Sequence, residues 1–423
     1  MKYISYIFLF FVFSNSSAQV NFDKYFTGTT MRVDYVIAGN DKSCETYFEQ
    51  IKEEPLWSGT RKNLVDPFIY GEFRMKVFDK ESGKLIFSRG YASLFKEWQT
   101  TAEAKEITRS FYETVLIPFP LNNIILKLFI RDRNNELQKI FEKEIDPENY
   151  FIKKEVANPF TSKKIIDNGK SEEKIDIVFL PDGYTKEEME KFNNDANKFA
   201  SKLLATAPFE KYKNSFNIWL VEAPSMESGT DIPGKNIWKN TILNTSFYTF
   251  DSERYLMTPD IWSVRNVAGM VAYDQIVILV NTEKYGGGGV YNYYNTFSSD
   301  NEKSPGLLVH EFGHGLVGLA DEYYSSSTAY LEYYNLEVEP IQPNITTLVN
   351  FKSKWKSMIK KKTPIPTPRD DNYIGIIGAF EGGGYVSEGI YSPMIKCKMN
   401  WLEDEFCPVC SKAIIEMIKY YTE

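Results

Sequence analysis

The sequence lacks an excess of basic residues and any apolar run of transmembrane length. A membrane-spanning helix needs about 20 consecutive apolar residues, so no membrane span is expected. The formal net charge is −8 over 423 residues, whereas general nucleic-acid binding depends on a basic face. We therefore expect a chain that neither spans a membrane nor binds nucleic acid.

Cysteine is also scarce, with four residues in the whole chain. Cys397, Cys407 and Cys410 lie near the C-terminus, while Cys44 is remote from them in the sequence. The simplest expectation is one disulfide that joins Cys397 to Cys407 or to Cys410. The Cys-Pro-Val-Cys motif at 407–410 is also of a type found in zinc and redox sites. The sequence has no second Cys-x-x-Cys and no thioredoxin-like context, so we expect neither site there.

Histidine is rarer still, because the chain contains two. They stand four apart in His310-Glu311-Phe-Gly-His314, and residues at that spacing share one face of a helix. Two imidazoles so placed can bind one zinc ion, with Glu311 within reach of a water on the metal. No third histidine remains, so a carboxylate is the expected third protein ligand. Asp321 is favoured over Glu322, because the shorter side chain suits a ligand carried on the turn itself.

The residues around this motif predict a helix independently of the histidines. Ser304 suits an N-cap, Pro305 suits the first helical position, and Gly318 offers a C-terminal break. Gly313 and Gly315 each lower helix propensity by about 1 kcal/mol. We interpret these two glycines as a sign that backbone or substrate approaches the helix closely.

The first 18 residues have the pattern of a secretory signal peptide. Lys2 supplies the basic start, residues 6–13 are apolar, and a run of small residues ends at Ala18. The apolar run is too short to span a bilayer. We expect cleavage after about Ala18 and a mature protein that is secreted, periplasmic or held at the cell surface.

Residues 19–156 alternate between apolar and polar positions as strands do, for example at 31–36, 73–78 and 124–130. Turn residues at 79–83 and 133–136 predict two hairpins. This region is expected to be an all-β sandwich domain with a structural or a substrate-binding role. The polar residues 157–173 that follow predict a linker.

Residues 174–423 differ in character, because strand and helix patterns alternate there. Strands are predicted at 175–180, 216–221 and 276–280, and the last is fully apolar and so central in a sheet. Helices are predicted at 186–205 and 409–420. The glycines 286–289 lack the features of a phosphate-binding loop, and we interpret them as a flexible loop or an edge strand near the motif helix. The expected fold class is α+β, with an N-terminal all-β sandwich domain followed by an α/β catalytic domain.

The run His310-Glu-Phe-Gly-His-Gly-Leu-Val-Gly-Leu-Ala-Asp-Glu-Tyr-Tyr324 resembles the signature of the IgA-peptidase-type zinc metallopeptidases, a metzincin-like group of secreted bacterial endopeptidases. The chain has one residue more before the glycine than the wider metzincin pattern, but Gly318 and Asp321 keep the glycine-to-ligand spacing. The resemblance implies a metzincin-like catalytic domain and an N-terminal β domain. It further implies that Met399 forms the tight turn beneath the metal, and it makes Tyr391 a candidate for stabilising the oxyanion.

The function implied is that of a secreted zinc endopeptidase. His310, His314 and Asp321 would hold Zn²⁺, and Glu311 would act as the general base. The expected substrates are extracellular proteins or glycoproteins, with IgA-like and mucin-like molecules among them, and the oligomeric state stays open. The alternatives are a non-proteolytic adhesion or glycan-binding protein that retains this fold, and a different zinc hydrolase such as a deacetylase. The intact His310, Glu311 and His314 speak against the non-catalytic alternative.

Overall fold

The computed structural model describes residues 19–154, 159–324 and 333–423. The predicted signal peptide, residues 1–18, lies outside the described residues, as do the first two positions of the predicted linker. Within the described ranges, no helix is both long enough and apolar enough to cross a bilayer.

Residues 19–154 are rich in β-strands, as the sequence predicted, and the strands form two four-stranded sheets. Its elements are α1 (Phe22–Tyr25), β1 (Phe26–Gly39), β2 (Cys44–Glu54), β3 (Phe73–Asp79), β4 (Leu85–Tyr91), α2 (Leu94–Trp98), β5 (Arg109–Pro120), β6 (Ile124–Arg131), β7 (Leu137–Ile145) and β8 (Lys153–Lys154). One sheet has the order β5-β1-β2-β8 and the other the order β4-β3-β6-β7. The hydroxyls of Tyr35 and Tyr91 lie 2.8 Å apart and link the two sheets. Both predicted hairpins are present, as β3–β4 and β6–β7.

Residues 159–423 are built on a six-stranded mixed sheet. Its elements are β9 (Thr161–Ile166), β10 (Ile175–Asp182), α3 (Met189–Leu204), β11 (Phe216–Glu222), α4 (Ile261–Ala268), β12 (Gln275–Val280), β13 (Gly287–Val290), β14 (Tyr294–Ser298), α5 (Ser304–Val317), β15 (Phe380–Gly383), β16 (Val386–Ser392) and α6 (Pro408–Thr422). The order of the six strands is β13-β14-β12-β10-β11-β9, and β15 and β16 form a separate hairpin.

The centre of the large sheet is parallel and its edges are antiparallel. β10 pairs in parallel with β11 and β12, and every residue of β10 and β12 is buried. This burial on both faces explains why these strands read as continuous apolar runs. At one edge, β9 pairs antiparallel with β11. The predicted linker is therefore wrong in part, because Thr161–Ile166 is a strand whose exposed or half-buried residues tolerate a polar sequence at a sheet edge.

The two parts of the chain share one continuous core and a polar contact built around Arg32. Arg32 Nε donates to Asp34 Oδ1 at 2.6 Å within β1, and Arg32 Nη1 donates to Asn266 Oδ1 at 2.9 Å on α4. Beside this contact, the rings of Tyr112 and Trp262 stack with centroids 4.1 Å apart. These contacts hold the N-terminal domain against the part of the chain that carries the six-stranded sheet.

Replacing Arg32 by methionine is expected to lower the free energy of unfolding by about 3–5 kcal/mol, because it leaves the charge of Asp34 buried without its partner. The side chains of Arg32 and Asp34 are 1% and 0% exposed. The matched control is Lys80→Met, which breaks an ion pair with Glu144 whose side chains are 46% and 51% exposed. That change should cost less than about 1 kcal/mol. Equal shifts of the two variants in a denaturant titration would contradict the importance of the Arg32 contact.

Candidate metal centre

Helix α5 carries both histidines, and its two ends are set by local sequence. The helix begins at Ser304, so Ser304 is the first helical residue rather than the predicted N-cap, and its hydroxyl donates to the carbonyl of Ser298. The predicted break is confirmed, because Gly318 adopts the left-handed conformation with φ 64°. The N–H of Gly318 bonds to the carbonyl of His314 at 2.8 Å. The chain then turns back toward the face that carries the histidines.

The two glycines of the motif allow close packing of α5 against the protein itself. A Cβ atom on Gly315 would lie 2.1 Å from Asn295 Oδ1, and one on Gly313 would lie 3.2 Å from Met399 Sδ. The close neighbours of these two positions within the protein include side chains from β14 and from the segment before α6. Met399 is completely buried beneath the helix.

Each imidazole is oriented by a backbone carbonyl. His310 Nδ1 lies 3.0 Å from the carbonyl oxygen of Lys398, and His314 Nδ1 lies 2.6 Å from that of Leu319. A carbonyl oxygen only accepts, so each Nδ1 carries the proton and donates it. In the neutral ring, each Nε2 then keeps a free lone pair, which is the form of histidine that binds a metal.

The third atom of the group is a carboxylate oxygen of Asp321. Asp321 Oδ1 lies 3.0 Å from His310 Nε2 and 3.4 Å from His314 Nε2, and the two Nε2 atoms are 3.1 Å apart. Although these distances are short, the buried Oδ1 has no hydrogen-bond partner. Three atoms that all present lone pairs thus face one another, an arrangement that needs a positive charge between them.

These residues fit a zinc ion. At zinc–nitrogen and zinc–oxygen distances of about 2.0–2.1 Å, tetrahedral ligands lie about 3.3 Å apart, close to the separations of these three atoms. Burial lowers the pKa of His314, but the charge of Asp321 outweighs this effect and raises the pKa to about 9. Burial raises the pKa of Asp321, yet His314 and His310 hold it well below its usual range. A divalent cation would supply the same positive charge without a proton on His314.

A tyrosine holds the other oxygen of the aspartate. The hydroxyl of Tyr385, in the turn between β15 and β16, donates to Asp321 Oδ2. In the same turn, the N–H of Gly384 donates to the backbone carbonyl of Asp321 at 2.8 Å. The β15–β16 hairpin therefore fixes both the backbone and the carboxylate of Asp321.

A cleft of about 690 Å³ opens over this group, and Glu311 lies on its wall with His310, His314 and Asp321. Burial raises the pKa of Glu311, and the two imidazoles lower it in part. The N-terminal domain forms part of the cleft wall through Tyr70, Gly71, Glu72, Ala92 and Glu97. The remainder includes many aromatic side chains, among them Tyr255, Tyr285, Tyr291, Tyr323, Tyr324, Tyr333, Tyr334 and Tyr385.

The predicted glycine-rich segment forms β13 at the edge of the six-stranded sheet, and Gly287, Gly288 and Gly289 line the cleft. A Cβ atom on Gly289 would lie 2.3 Å from the carbonyl oxygen of Glu311, so only glycine allows this approach to α5. The edge is not fully open. At Gly287, the N–H bonds to the carbonyl of Arg254 at 3.3 Å and the carbonyl accepts from the N–H of Leu256 at 3.4 Å.

The structure does not bring Tyr391 to the cleft. Its hydroxyl lies 3.3 Å from a carboxylate oxygen of Glu381 across the β15–β16 hairpin, and the residue is absent from the cleft wall. A different tyrosine from the same hairpin, Tyr385, meets the histidine–aspartate group. The sequence holds no local signal for this role, because Tyr385 is 64 positions from Asp321 along the chain.

Glu322 turns away from the histidines. Its carboxylate is completely buried and lies beside Cys410, with Glu322 Oε1 3.1 Å from the thiol and 2.9 Å from the side-chain nitrogen of Asn344. The expected disulfide is not formed, because Cys397 Sγ and Cys410 Sγ lie 3.7 Å apart, whereas a disulfide bond is about 2.05 Å long. The three C-terminal thiols and Glu322 form a second buried group of metal-ligand type.

Comparison with known proteins places the chain in one family. The family described as IgA Peptidase M64 matches residues 164–375 and 369–418, and the family described as Peptidase M64 N-terminus matches residues 21–142. No curated protein matches the chain. The first match includes α5, Asp321 and the three C-terminal cysteines, and it covers more than half of the sequence. The chain therefore belongs to the IgA peptidase M64 family, a family of peptidases.

Proposed function

We propose that this protein is a zinc-dependent endopeptidase that acts on extracellular protein or glycoprotein substrates. The observation that carries this proposal is the convergence of His310 Nε2, His314 Nε2 and Asp321 Oδ1 on the wall of a large cleft, next to the buried carboxyl of Glu311. Two imidazoles and one carboxylate form a ligand set suited to catalytic zinc, because three protein ligands leave a fourth position for water or substrate.

Each residue of the group has a distinct role in this proposal. His310, His314 and Asp321 would hold the zinc ion, which when bound lowers the pKa of a coordinated water and polarises the scissile carbonyl. Glu311 takes the proton of the attacking water as a general base and then delivers it to the leaving amine as a general acid. Burial helps the second half of this cycle, since it favours the protonated form of Glu311.

Hydrogen bonds within the chain fix the orientation of the histidine and aspartate side chains. The carbonyls of Lys398 and Leu319 hold both imidazoles in the tautomer that ligation needs, and Tyr385 orients the aspartate. Partners of this kind raise the basicity of metal ligands and fix their geometry. Met399, packed under Gly313, supports the metzincin-like assignment that we propose for the catalytic domain. Tyr391 is not retained as an oxyanion donor, because its hydroxyl pairs with Glu381 outside the cleft.

The shape of the cleft suits a polypeptide. Glycine residues of β13 form one wall beside α5, and aromatic side chains together with part of the N-terminal domain form others. A sheet edge holds an extended peptide through backbone hydrogen bonds, which accept many sequences. Tyrosine rings offer flat contacts for side chains or for sugars. We therefore include glycoproteins among the proposed substrates, with IgA and mucins as the first to assay.

Replacing Glu311 by glutamine is expected to reduce turnover by about 10²–10⁴-fold, because the amide cannot accept the proton of the attacking water. Zinc should stay bound, since none of the three ligands is changed. The measurement pairs metal analysis with cleavage of a protein panel that includes IgA and mucins, with and without a chelator. The control is Glu302→Gln, which changes an exposed glutamate just before α5 and should leave turnover unaltered.

Three outcomes of this experiment bear on the proposal. Chelator-sensitive cleavage by the wild type and by Glu302→Gln, but not by Glu311→Gln, supports it. Full activity in Glu311→Gln would rule out the proposed general base. A wild type that binds no metal and cuts nothing would favour the adhesion or glycan-binding alternative.

Replacing Tyr385 by phenylalanine is expected to weaken zinc binding about 10–100-fold, because Asp321 loses the hydrogen bond that orients its carboxylate. Competition with a chromogenic zinc chelator measures the affinity directly. Tyr391→Phe is the matched comparison on the same hairpin, and its zinc affinity should equal that of the wild type. Equal affinities for all three proteins would show that the Tyr385 hydroxyl does not support the ligand.

A further inference from the structure

The structure contains a second group of potential metal ligands besides the histidine–aspartate group. It consists of Glu322, Cys397, Cys407 and Cys410, whose ligand atoms all lie within 4.8 Å of one another. All four residues are buried. They come from three separate segments of the chain: the turn after α5, the stretch before α6, and the start of α6. We propose that these four residues bind a second zinc ion with a structural role.

The separations within the group suit a bound zinc better than a disulfide. Cys397 Sγ and Cys410 Sγ are 3.7 Å apart. Two sulfurs on a tetrahedral zinc, each about 2.3 Å from the metal, lie about 3.8 Å apart. Glu322 Oε1 lies 3.1 Å from Cys410 Sγ, which brings the carboxylate into the same small volume.

The electrostatics of Glu322 also call for a cation. One of its carboxylate oxygens, Oε2, is buried and has no hydrogen-bond partner, while Oε1 meets Asn344 and Cys410. Arg369 interacts with this carboxylate through its charge, but among the residues that the structure describes none forms a direct ion pair with Glu322. A buried carboxylate without a counter-charge in direct contact is costly. Zinc would compensate both the carboxylate and the thiolates.

The surrounding backbone is arranged to support thiolate ligands. The N–H of Cys407 points to Cys397 Sγ at 3.4 Å, and the N–H of Cys410 points to Cys407 Sγ at 3.4 Å. Helix α6 begins at Pro408, so the cysteines of the Cys-x-x-Cys motif also lie at its positive end. On binding, the three thiols lose their protons to solvent and three sulfur–zinc bonds form, joined by one oxygen–zinc bond from Glu322.

A zinc ion with four protein ligands has no open position, so its role would be structural. The two groups are adjacent in the sequence, because Glu322 follows Asp321. The N–H of Glu322 also bonds to the carbonyl of Met399 at 2.8 Å. Between Cys397 and Met399, the carbonyl of Lys398 orients His310. The second zinc would therefore stabilise residues 397–399, whose backbone carbonyls contact His310 and the residue that follows Asp321.

Metal analysis of the purified full-length protein tests this proposal. We expect about two zinc ions per wild-type chain, one lost in Cys407→Ser and the other lost in His314→Ala. Cys44→Ser is the matched control, because Cys44 lies on β2 in the N-terminal domain, and it should keep both ions. A wild type with a single zinc ion that persists in Cys407→Ser would overturn the proposal.

Two measurements that do not use Cys407→Ser cover the case in which this variant does not fold. Zinc X-ray absorption should show sulfur neighbours at about 2.3 Å in the wild type, and these should persist in His314→Ala. After denaturation in chelator, all four cysteines should react as free thiols. Zinc with nitrogen and oxygen neighbours alone, or a peptide pair joined by a Cys397–Cys410 disulfide, would refute the second site.

The structural zinc site and the proposed peptidase activity can be tested separately. Sulfur-bound zinc in a protein that cuts no substrate would support the structural site and argue against the peptidase function. Chelator-sensitive cleavage by a protein without sulfur-bound zinc would do the reverse.

Discussion

Both imidazoles of the candidate metal centre owe their orientation to a backbone carbonyl that lies outside the helix carrying them. The carbonyl of Leu319 comes from the turn that follows Gly318, and that of Lys398 comes from the stretch before α6. Without these acceptors, neither ring would be held in the tautomer that leaves Nε2 free. Helix α5 thus supplies the two candidate histidine ligands, and two later segments hold their rings in the tautomer that can bind a metal. The left-handed turn at Gly318 serves both purposes, because it places Leu319 and then returns the chain with Asp321.

Local signals allowed much of this region to be predicted from the sequence. Pro305 and Gly318 bracket the helix, and the spacing of the two histidines gives their shared face. Asp321 follows the turn closely enough for its side chain to be expected near them. Tyr385 and Lys398 could not be found in this way, because they reach the site through tertiary structure from distant segments. The same is true of the buried thiol group, since the Cys-x-x-Cys motif gives no hint that Glu322 and Cys397 lie beside it.

The polar strand at the sheet edge was the harder element to predict in the fold. β10 and β12 are buried throughout and read as apolar runs, whereas β9 lies at a sheet edge, where polar residues are tolerated, and resembles a linker. The role of the N-terminal domain was equally hidden. Its strands follow an ordinary alternating pattern, yet Tyr70 and Glu97 reach the cleft because the Arg32 contact and the shared core hold the domains together. Substrate selection by such a cleft would depend on both domains.

The scarcity of histidine has a spectroscopic consequence. The chain contains two imidazole rings, and both belong to the same centre with their Nδ1 protons donated to carbonyls. Hydrogen-bonded ring protons of this kind exchange slowly and resonate far downfield of the amide signals in a proton NMR spectrum. In this protein, that part of the spectrum has no other histidine to obscure it. The native chain therefore carries its own label for the state of the candidate metal centre, readable without isotopic enrichment or an added probe.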